Sequence, residues 1–338
     1  MNAPGFTIVI PAFNRPEPLK FTLSSVAKAI HQLPVAAEIL LIDDGSETPL
    51  SVTLEDFSIG QRVEYIRQAN QGSIIARLTG LRHARGQCVL FLDSDDLIDP
   101  RKLSAHWSIF SATDADVVYD DMALANLGPE YSSCFSPGPE LRETDSLVDL
   151  LLQIQPAPHG PSYRREWLMS ALREPMVPPQ RQLDPSGDVW LFYNLLLQPA
   201  CVRKVSLPLT AGGPHEQERY SAHWEKLGVA ALRIAEEFMR RCPMTNSTTE
   251  ARRVVGECAF NAWRRLPRDF DGGYTRRLLS IWRSAPPSRL HRLGGTVFLR
   301  LARIGGPLLA SRILRLRNHS YASCRTLNER QLAALLLH

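Results

Sequence analysis

Five aspartates stand in two short clusters, Asp43-Asp44 and Asp93 with Asp95-Asp96, each directly after a run of apolar residues. Carboxylates gathered in one place repel one another unless a cation or a donor-rich ligand neutralises them. Hard oxygen ligands of this kind select Mg2+ or Mn2+. Each cluster alone has a plainer reading, because Asp-Gly after a strand is a common turn and an aspartate before a helix is a common cap. Joint chemistry therefore depends on whether the fold carries both clusters to one place.

The elements around them predict that it does. Phe6–Phe13 is a short apolar run ending in a Pro-containing turn, and Pro16–Gln32 shows helical spacing of Leu19, Leu23, Val26 and Ile30. Ala37–Ile42 reads as a second buried strand, closed by Asp43-Asp44-Gly45-Ser46, and Val63–Ile66 as a third. Gly72–Ala84 is helical in spacing, and a fourth strand, Cys88–Leu92, enters Asp93-Ser94-Asp95-Asp96. Near-continuous apolar strands alternating with helices predict an α/β fold with a parallel sheet covered on both faces. In such a sheet all strands end at the same edge, which would bring the two clusters together. Asp99 before Pro100 reads as the N-cap and first residue of a helix over Pro100–Phe110. Asp116–Tyr119 reads as a fifth strand, and Asp145–Ile154, Arg164–Leu172 and Asp188–Leu197 as helices around a Pro-rich loop at 175–185. From about Glu216 the sequence is helical to its end.

At 338 residues the chain suits a catalytic domain of about 200–250 residues plus a smaller one, predicted as 1–225 and a basic α-helical region 226–338. Residues 1–230 carry 19 Lys+Arg against 28 Asp+Glu, and residues 231–338 carry 20 against 7, so an acidic body of net −9 joins a basic tail of net +13. Six cysteines without a CxxC pair disfavour a zinc site and a disulfide framework. Arg300, Arg303 and Arg312 interrupt the most apolar part of the tail, so no spanning helix is expected. The start of the chain has no basic segment or cleavage site of a signal peptide, which predicts a cytoplasmic protein. The arginines of the tail sit among leucines without an RNA-binding signature, and nucleic acid is not an expected partner.

Four segments, in order, carry a specific pattern: Ile8-Val9-Ile10-Pro11-Ala12-Phe13-Asn14, Ile42-Asp43-Asp44-Gly45-Ser46, Asn70-Gln71-Gly72 with Ala76-Arg77, and Gly86 through Phe91-Leu92-Asp93-Ser94-Asp95-Asp96. In these the sequence resembles the family 2 glycosyltransferases, inverting enzymes of the GT-A fold, a Rossmann-like and mostly parallel sheet flanked by helices. Pro161–Arg165 resembles the segment leading toward the family's acceptor region, and Gly187–Leu191 the helix start that carries its catalytic base. Beyond about residue 225 the resemblance stops.

The resemblance implies transfer of a sugar from a nucleoside diphosphate sugar, a UDP-sugar in the first instance, to a hydroxyl of a glycan or lipid-linked acceptor. The Pro11-Ala12-Phe13 loop and Asp44 would receive the base and ribose, Asp93 and Ser94 would help hold the donor, and Asp95 would ligate Mn2+ or Mg2+ at the diphosphate. Arg77 would add positive charge near the nucleotide, although an arginine on a helix is also an ordinary structural residue. Asp96 fits three roles: support of its neighbours, acceptor contact or helix capping. Asp188 would be the general base. Gly187 stands where the family usually shows a further acid, which leaves Asp184 as a substitute, and Asp188 also suits a helix cap. His215, after Gly212-Gly213-Pro214, would complete the metal shell or touch phosphate.

A Gln-x-x-Arg-Trp motif and membrane helices, which mark processive synthases, are absent, so a single addition is expected. Two rivals follow from the same residues. A nucleotidyltransferase would need a Gly-rich loop where Pro11-Ala12-Phe13-Asn14 stands, and a catalytically degenerate binding module would account for Gly187. Finally, Arg289–Arg317 interleaves leucines with arginines, which predicts either peripheral membrane contact or helices packed on an acidic neighbour.

Overall fold

The computed structural model describes residues 3–57, 59–213 and 223–337, with the backbone alone at Asp56. They form two compact units, the first drawn from residues 1–175, 179–184 and 198–218 and the second from 176–178, 185–197 and 219–338.

The first unit holds β1 (Phe6–Ala12), α1 (Pro16–His31), β2 (Ala37–Asp43), α2 (Ser51–Asp56), β3 (Val63–Arg67), α3 (Ser73–His83), β4 (Cys88–Phe91) and β5 (Asp96–Ile98). After these come α4 (Lys102–Ala112), β6 (Val117–Leu127), β7 (Ser133–Pro137), α5 (Leu147–Asp149, continued by the wider turn Leu150–Ile154), β8 (Ser162–Arg164), α6 (Arg165–Ala171) and β9 (Val202–Gly212). The strands form one sheet in the order β3-β2-β1-β4-β8-β6-β9-β5, with β7 paired to β6. Its first four strands are parallel; the apolar runs of β1, β2 and β4 suit strands buried on both faces, while the edge strand β3 is only half-buried. Every residue of β1 and β4 is buried. Leu19, Leu23 and Val26 of α1 share a core with Ile8, Ile10, Leu41 and Leu90.

The other half of the sheet is mixed. β8 is antiparallel to both β4 and β6, β9 runs parallel to β6, and β5 is antiparallel to β9. β5, β7, β8 and β9 were not foreseen, and the fifth apolar run extends well past Tyr119 into the long hairpin β6–β7. The helix expected at Pro100 starts later, at Lys102. Asp99 does not cap it, since Arg101 is the N-cap residue and the Asp99 carboxylate accepts the Arg101 N–H at 2.9 Å instead.

The second unit is helical: α7 (Gly187–Leu195), α8 (Trp224–Arg241), α9 (Thr249–Arg265), α10 (Gly272–Ser284), α11 (Leu290–Leu293), α12 (Thr296–Arg315), α13 (Tyr321–Cys324) and α14 (Glu329–Leu337). α8, α9 and α10 stop just short of Pro243, Pro267 and Pro286, which lack the N–H that a helix interior needs. α12 is kinked at Gly306, whose φ of +77° is open to glycine, and Pro307 follows. Among the described residues no helix is long and apolar enough to cross a membrane.

Candidate functional site

β1 lies between β2 and β4 in parallel register, with Ala12 opposite Asp43 and Val9 opposite Phe91. The chain leaves all three strands at one edge, so the Pro11–Asn14, Asp43–Ser46 and Asp93–Asp96 turns do meet there. The first two are clipped together: Asn14, at a left-handed φ of 52°, donates its N–H to Ser46 Oγ at 3.0 Å, and its Oδ1 accepts the Glu47 N–H at 2.9 Å. Phe13, 43% exposed, presents a ring to solvent at this edge.

The acidic residues divide by what already neutralises them. Asp43 is fully buried and accepts the N–H groups of Ser46 (2.8 Å) and Leu50 (3.1 Å) and the Tyr65 hydroxyl (2.6 Å). Burial opposes its ionisation, but these donors prevail and hold its carboxyl below the usual range. Asp43 is thus a structural brace of the β2 turn. Asp44 accepts Gln68 Nε2 (2.7 Å) and the N–H groups of Gln71 (2.9 Å) and Gly72 (2.7 Å), so three of roughly four lone-pair positions are taken by its own chain. Asp93 receives Arg77 Nη2 at 2.6 Å, and the Arg77 side chain is only 7% exposed.

Gly72, with φ +96°, begins α3, and a Cβ there would lie 1.6 Å from the Asp184 carboxylate. That carboxylate accepts the Ile74 N–H at 3.0 Å and the Ser73 hydroxyl at 3.3 Å, so Asp184 caps a helix whose own N-cap residue has no side chain to do so. Burial, aided by nearby Asp44, raises the Asp184 carboxyl above the ordinary range.

Asp95 and Arg15 Nη1 approach to 3.7 Å, beyond hydrogen-bonding distance, and both side chains are about one-fifth exposed. Ser94 is buried between its acidic neighbours. Asp96 accepts the Gly213 N–H at 3.2 Å and faces His159 Nδ1 at 3.0 Å, while His159 Nε2 meets the Ala211 carbonyl at 3.1 Å. Burial disfavours a charged His159, but the carboxylate of Asp96 outweighs it and raises the imidazole. Of the three roles open to Asp96, support of the surrounding strands is the one these contacts display.

A hard carboxylate on an accessible turn suits Mg2+ or Mn2+, which are commonly held by one or two protein carboxylates with substrate phosphates completing the shell. Among the described residues there is no group of three or more His, Cys, Asp or Glu side chains that could hold a metal ion. His215 lies in 214–222, outside the described residues. Asp188 occupies the first turn of α7 in the second unit and is half-buried. The helix begins one residue earlier than expected, with Ser186 as its N-cap, so Asp188 is not the cap.

Sequence reasoning missed Arg15 and His159. It also missed a fully buried network in which Lys102 Nζ is hydrogen-bonded to Asp120, to the Gly160 carbonyl (2.7 Å) and to Thr210 Oγ1 (2.9 Å). His106 bridges Asp120 and Ser162 at 2.9 Å each. Polar side chains on otherwise apolar α4 and β6 were the available signal.

The family model described as Glycosyl transferase family 2 matches residues 7–131. The glycosyltransferase GlyA of Streptococcus pneumoniae serotype 4 is 36% identical over 94 residues, 28% of this chain and 13% of that protein. The matched stretch spans 13% of GlyA and 14% and 17% of two Rickettsia glycosyltransferases, and about half of a Nostoc one. Staphylococcus aureus TarS 1–349 in complex with UDP-GlcNAc is similar in structure with a TM-score of 0.64 at 17% identity, over 96% of this chain and 93% of that one. The mannosyltransferase PcManGT from Pyrobaculum calidifontis, in complex with GDP-Man and Mn2+, gives 0.53 at 11% identity, over 100% and 87%. At these identities the likeness is one of fold, and the fold is GT-A.

Proposed function

We propose that this chain, a family 2 glycosyltransferase through residues 7–131, moves a sugar from a UDP-sugar to a hydroxyl of a glycan or lipid-linked acceptor, once per encounter and with inversion. The observation that carries the reading is the Asp93-Ser94-Asp95 turn at the end of β4, which shares one sheet edge with the Pro11–Asn14 and Asp43–Ser46 turns and in which Asp93 is held by the buried Arg77. Structures of similar fold in complex with UDP-GlcNAc and with GDP-Man and Mn2+ support a nucleotide-sugar donor. The chain meets its acceptor as a cytoplasmic protein in contact with a membrane through the 289–317 region.

In this reading the exposed ring of Phe13, with Pro11 and Ala12, borders the nucleotide base, and the remaining acceptor capacity of Asp44 faces the base or ribose. Asp93, fixed by the buried Arg77 guanidinium, holds the ribose in one orientation, so Arg77 acts by positioning. Asp95 would hold Mn2+ or Mg2+, with His215 as a second ligand. A bound cation of this kind supplies charge neutralisation of the diphosphate leaving group. The Asp188 carboxylate takes the proton of the acceptor hydroxyl as its oxygen bonds to the anomeric carbon, opposite the departing diphosphate.

Asp95→Ala tests the assignment. Calorimetry with UDP and Mn2+ is expected to show binding weakened by about 100-fold or more, since electrostatic stabilisation by a bound metal is worth several kcal/mol. Asp95 is a turn residue, so circular dichroism should be unchanged. Undiminished metal-dependent binding would remove this turn from the donor site.

A further inference from the structure

Residues 272–328 contain eleven arginines, no lysine and no Asp or Glu. The structure sorts these arginines into two sets. Arg277 pairs with Glu236, Arg289 with Glu250, and Arg315 lies over the Trp263 ring at 5.0 Å while donating to the Pro267 carbonyl at 3.0 Å. These hold the helices of the second unit to one another, so the interleaved pattern of 289–317 is only partly a surface feature. Leu293 and Phe298 belong to the inward set too: both are buried, and Phe298 packs edge-on to Phe260 of α9.

The other set lies on the exposed sides of the two segments of α12 that the Gly306 kink separates. Val297, Arg300 and Ile304 recur at helical spacing before the Gly306 kink, with Arg303 beside them, and all four are exposed. Leu309, Arg312, Ile313 and Leu316 repeat the arrangement after it, followed by exposed Arg317. Ile304 is 89% exposed, Leu316 70% and Val297 60%. Soluble surfaces rarely keep large apolar side chains so open in a row. Guanidinium groups without acidic neighbours on their own segment make the same sides strongly cationic.

We infer that the exposed sides of the two α12 segments, with Leu316 and Arg317 just past its end, dock on an anionic phospholipid surface, with Val297, Ile304, Leu309 and Leu316 entering the headgroup boundary and Arg300, Arg303, Arg312 and Arg317 meeting lipid phosphates. Charge selects the occupant. A hydrophobic protein partner would not call for four arginines around the apolar stripe, whereas interfacial helices on anionic membranes combine these two features. The inward face of α12 stays packed on α9, so docking needs no unfolding of the unit. This deepens the membrane contact in the proposed function and rests on that reading for its location, though not for its chemistry.

The test is flotation of the full chain with vesicles of phosphatidylcholine alone and of phosphatidylcholine mixed with phosphatidylglycerol, at low and high salt. Binding is expected to the anionic vesicles only and to weaken with salt, because the headgroup potential is screened within a Debye length. Replacing Arg300, Arg303, Arg312 and Arg317 together by Gln should weaken it by about 100-fold or more, at about fivefold per arginine. Ile304→Ser with Leu316→Ser should weaken it by about tenfold or more. All six positions are exposed, so these variants should keep the helical circular dichroism of the parent. Equal binding to both vesicle types, or no effect of the arginine variant, would overturn the inference. So would a parent that ignores vesicles but forms a larger species in solution which Ile304→Ser with Leu316→Ser disperses, because these sides would then join two copies. Binding of UDP with Mn2+ by the same variants reports separately on the donor site, so loss of one property does not mimic loss of the other.

Discussion

Asp188→Asn is expected to lower turnover by about 100-fold or more while leaving donor affinity close to that of the parent, because it removes the proposed base and retains its shape. Asp188 sits in the first turn of α7, where a carboxylate also gains from the helix dipole, but that term is only about 0.3–1 kcal/mol. Unchanged circular dichroism of the variant would separate a loss of chemistry from a loss of fold. The informative companion is Asp184→Asn. The Asp184 carboxylate is engaged with the Ile74 N–H and the Ser73 hydroxyl, and the carbonyl of Asn can still accept from both. Turnover of Asp184→Asn should stay within about fivefold of the parent, as for a residue whose hydrogen bonds are conserved. Its stability should also respond differently to pH. The raised Asp184 carboxyl contributes stability that is present below the ordinary carboxylate range and lost as pH rises through the raised value. Asn removes that dependence. Steady-state kinetics with the two variants decide the matter: a dead Asp184→Asn beside an active Asp188→Asn would move the base one turn back along the chain.

The two aspartates illustrate how far the residues alone could be read. β1, β2 and β4 were legible because strands buried on both faces are apolar almost without interruption, half-buried β3 was legible from its short Val63–Ile66 run, and the edge at which all four end followed from their being parallel. Roles within an acidic pair were not. Neighbouring residues at a strand end point to opposite sides of the sheet, so Asp43 turns into the core to brace its own loop while Asp44 reaches across to the start of α3. A count of carboxylates overstated the negative charge awaiting a cation, because Arg77 and His159 answer Asp93 and Asp96 from distant parts of the sequence. β5 and β8, at three residues each, are too short to show a period. β9 carries Arg203, Lys204 and Pro208, which belong to a strand with a shifted register against β6 rather than to a buried run. The helical tail was legible from its proline stops, but not which of its arginines face inward, since both sets lie at helical spacing among leucines.

The buried network around Asp120 gives the largest expected effect on stability. Lys102, His106 and Asp120 are all fully buried, on α4 and β6. Burial disfavours charge on each of them, yet the ammonium and the imidazole keep the Asp120 carboxyl low, and burial together with Lys102 depresses His106 to about 4. Burial also lowers the Lys102 ammonium, against the pull of the Asp120 carboxylate at hydrogen-bonding distance; with Asp120 held low and His106 depressed, the contacts describe a Lys102–Asp120 ion pair beside a neutral His106. Lys102→Met leaves the Asp120 carboxylate with His106 and Thr210 as its side-chain partners among the described residues, and removing one member of a buried pair costs about 3–5 kcal/mol. Acid should partly rescue the variant. In the parent, His106 has a depressed folded value, so the unfolded chain binds the extra proton and stability falls as pH drops from the ordinary imidazole range toward 4. Without Lys102 the repulsion is gone and Asp120 remains, so the folded value of His106 rises and protonation replaces the missing positive charge. The gap between parent and variant should therefore narrow as pH falls from about 8 to 5. Hydrogen exchange of the α4 and β6 amides in the full chain, at both pH values, measures the gap in the unit that contains the network. A gap that is constant, or that widens in acid, would mean that Lys102 stabilises these strands by packing its alkyl stem and not by its charge.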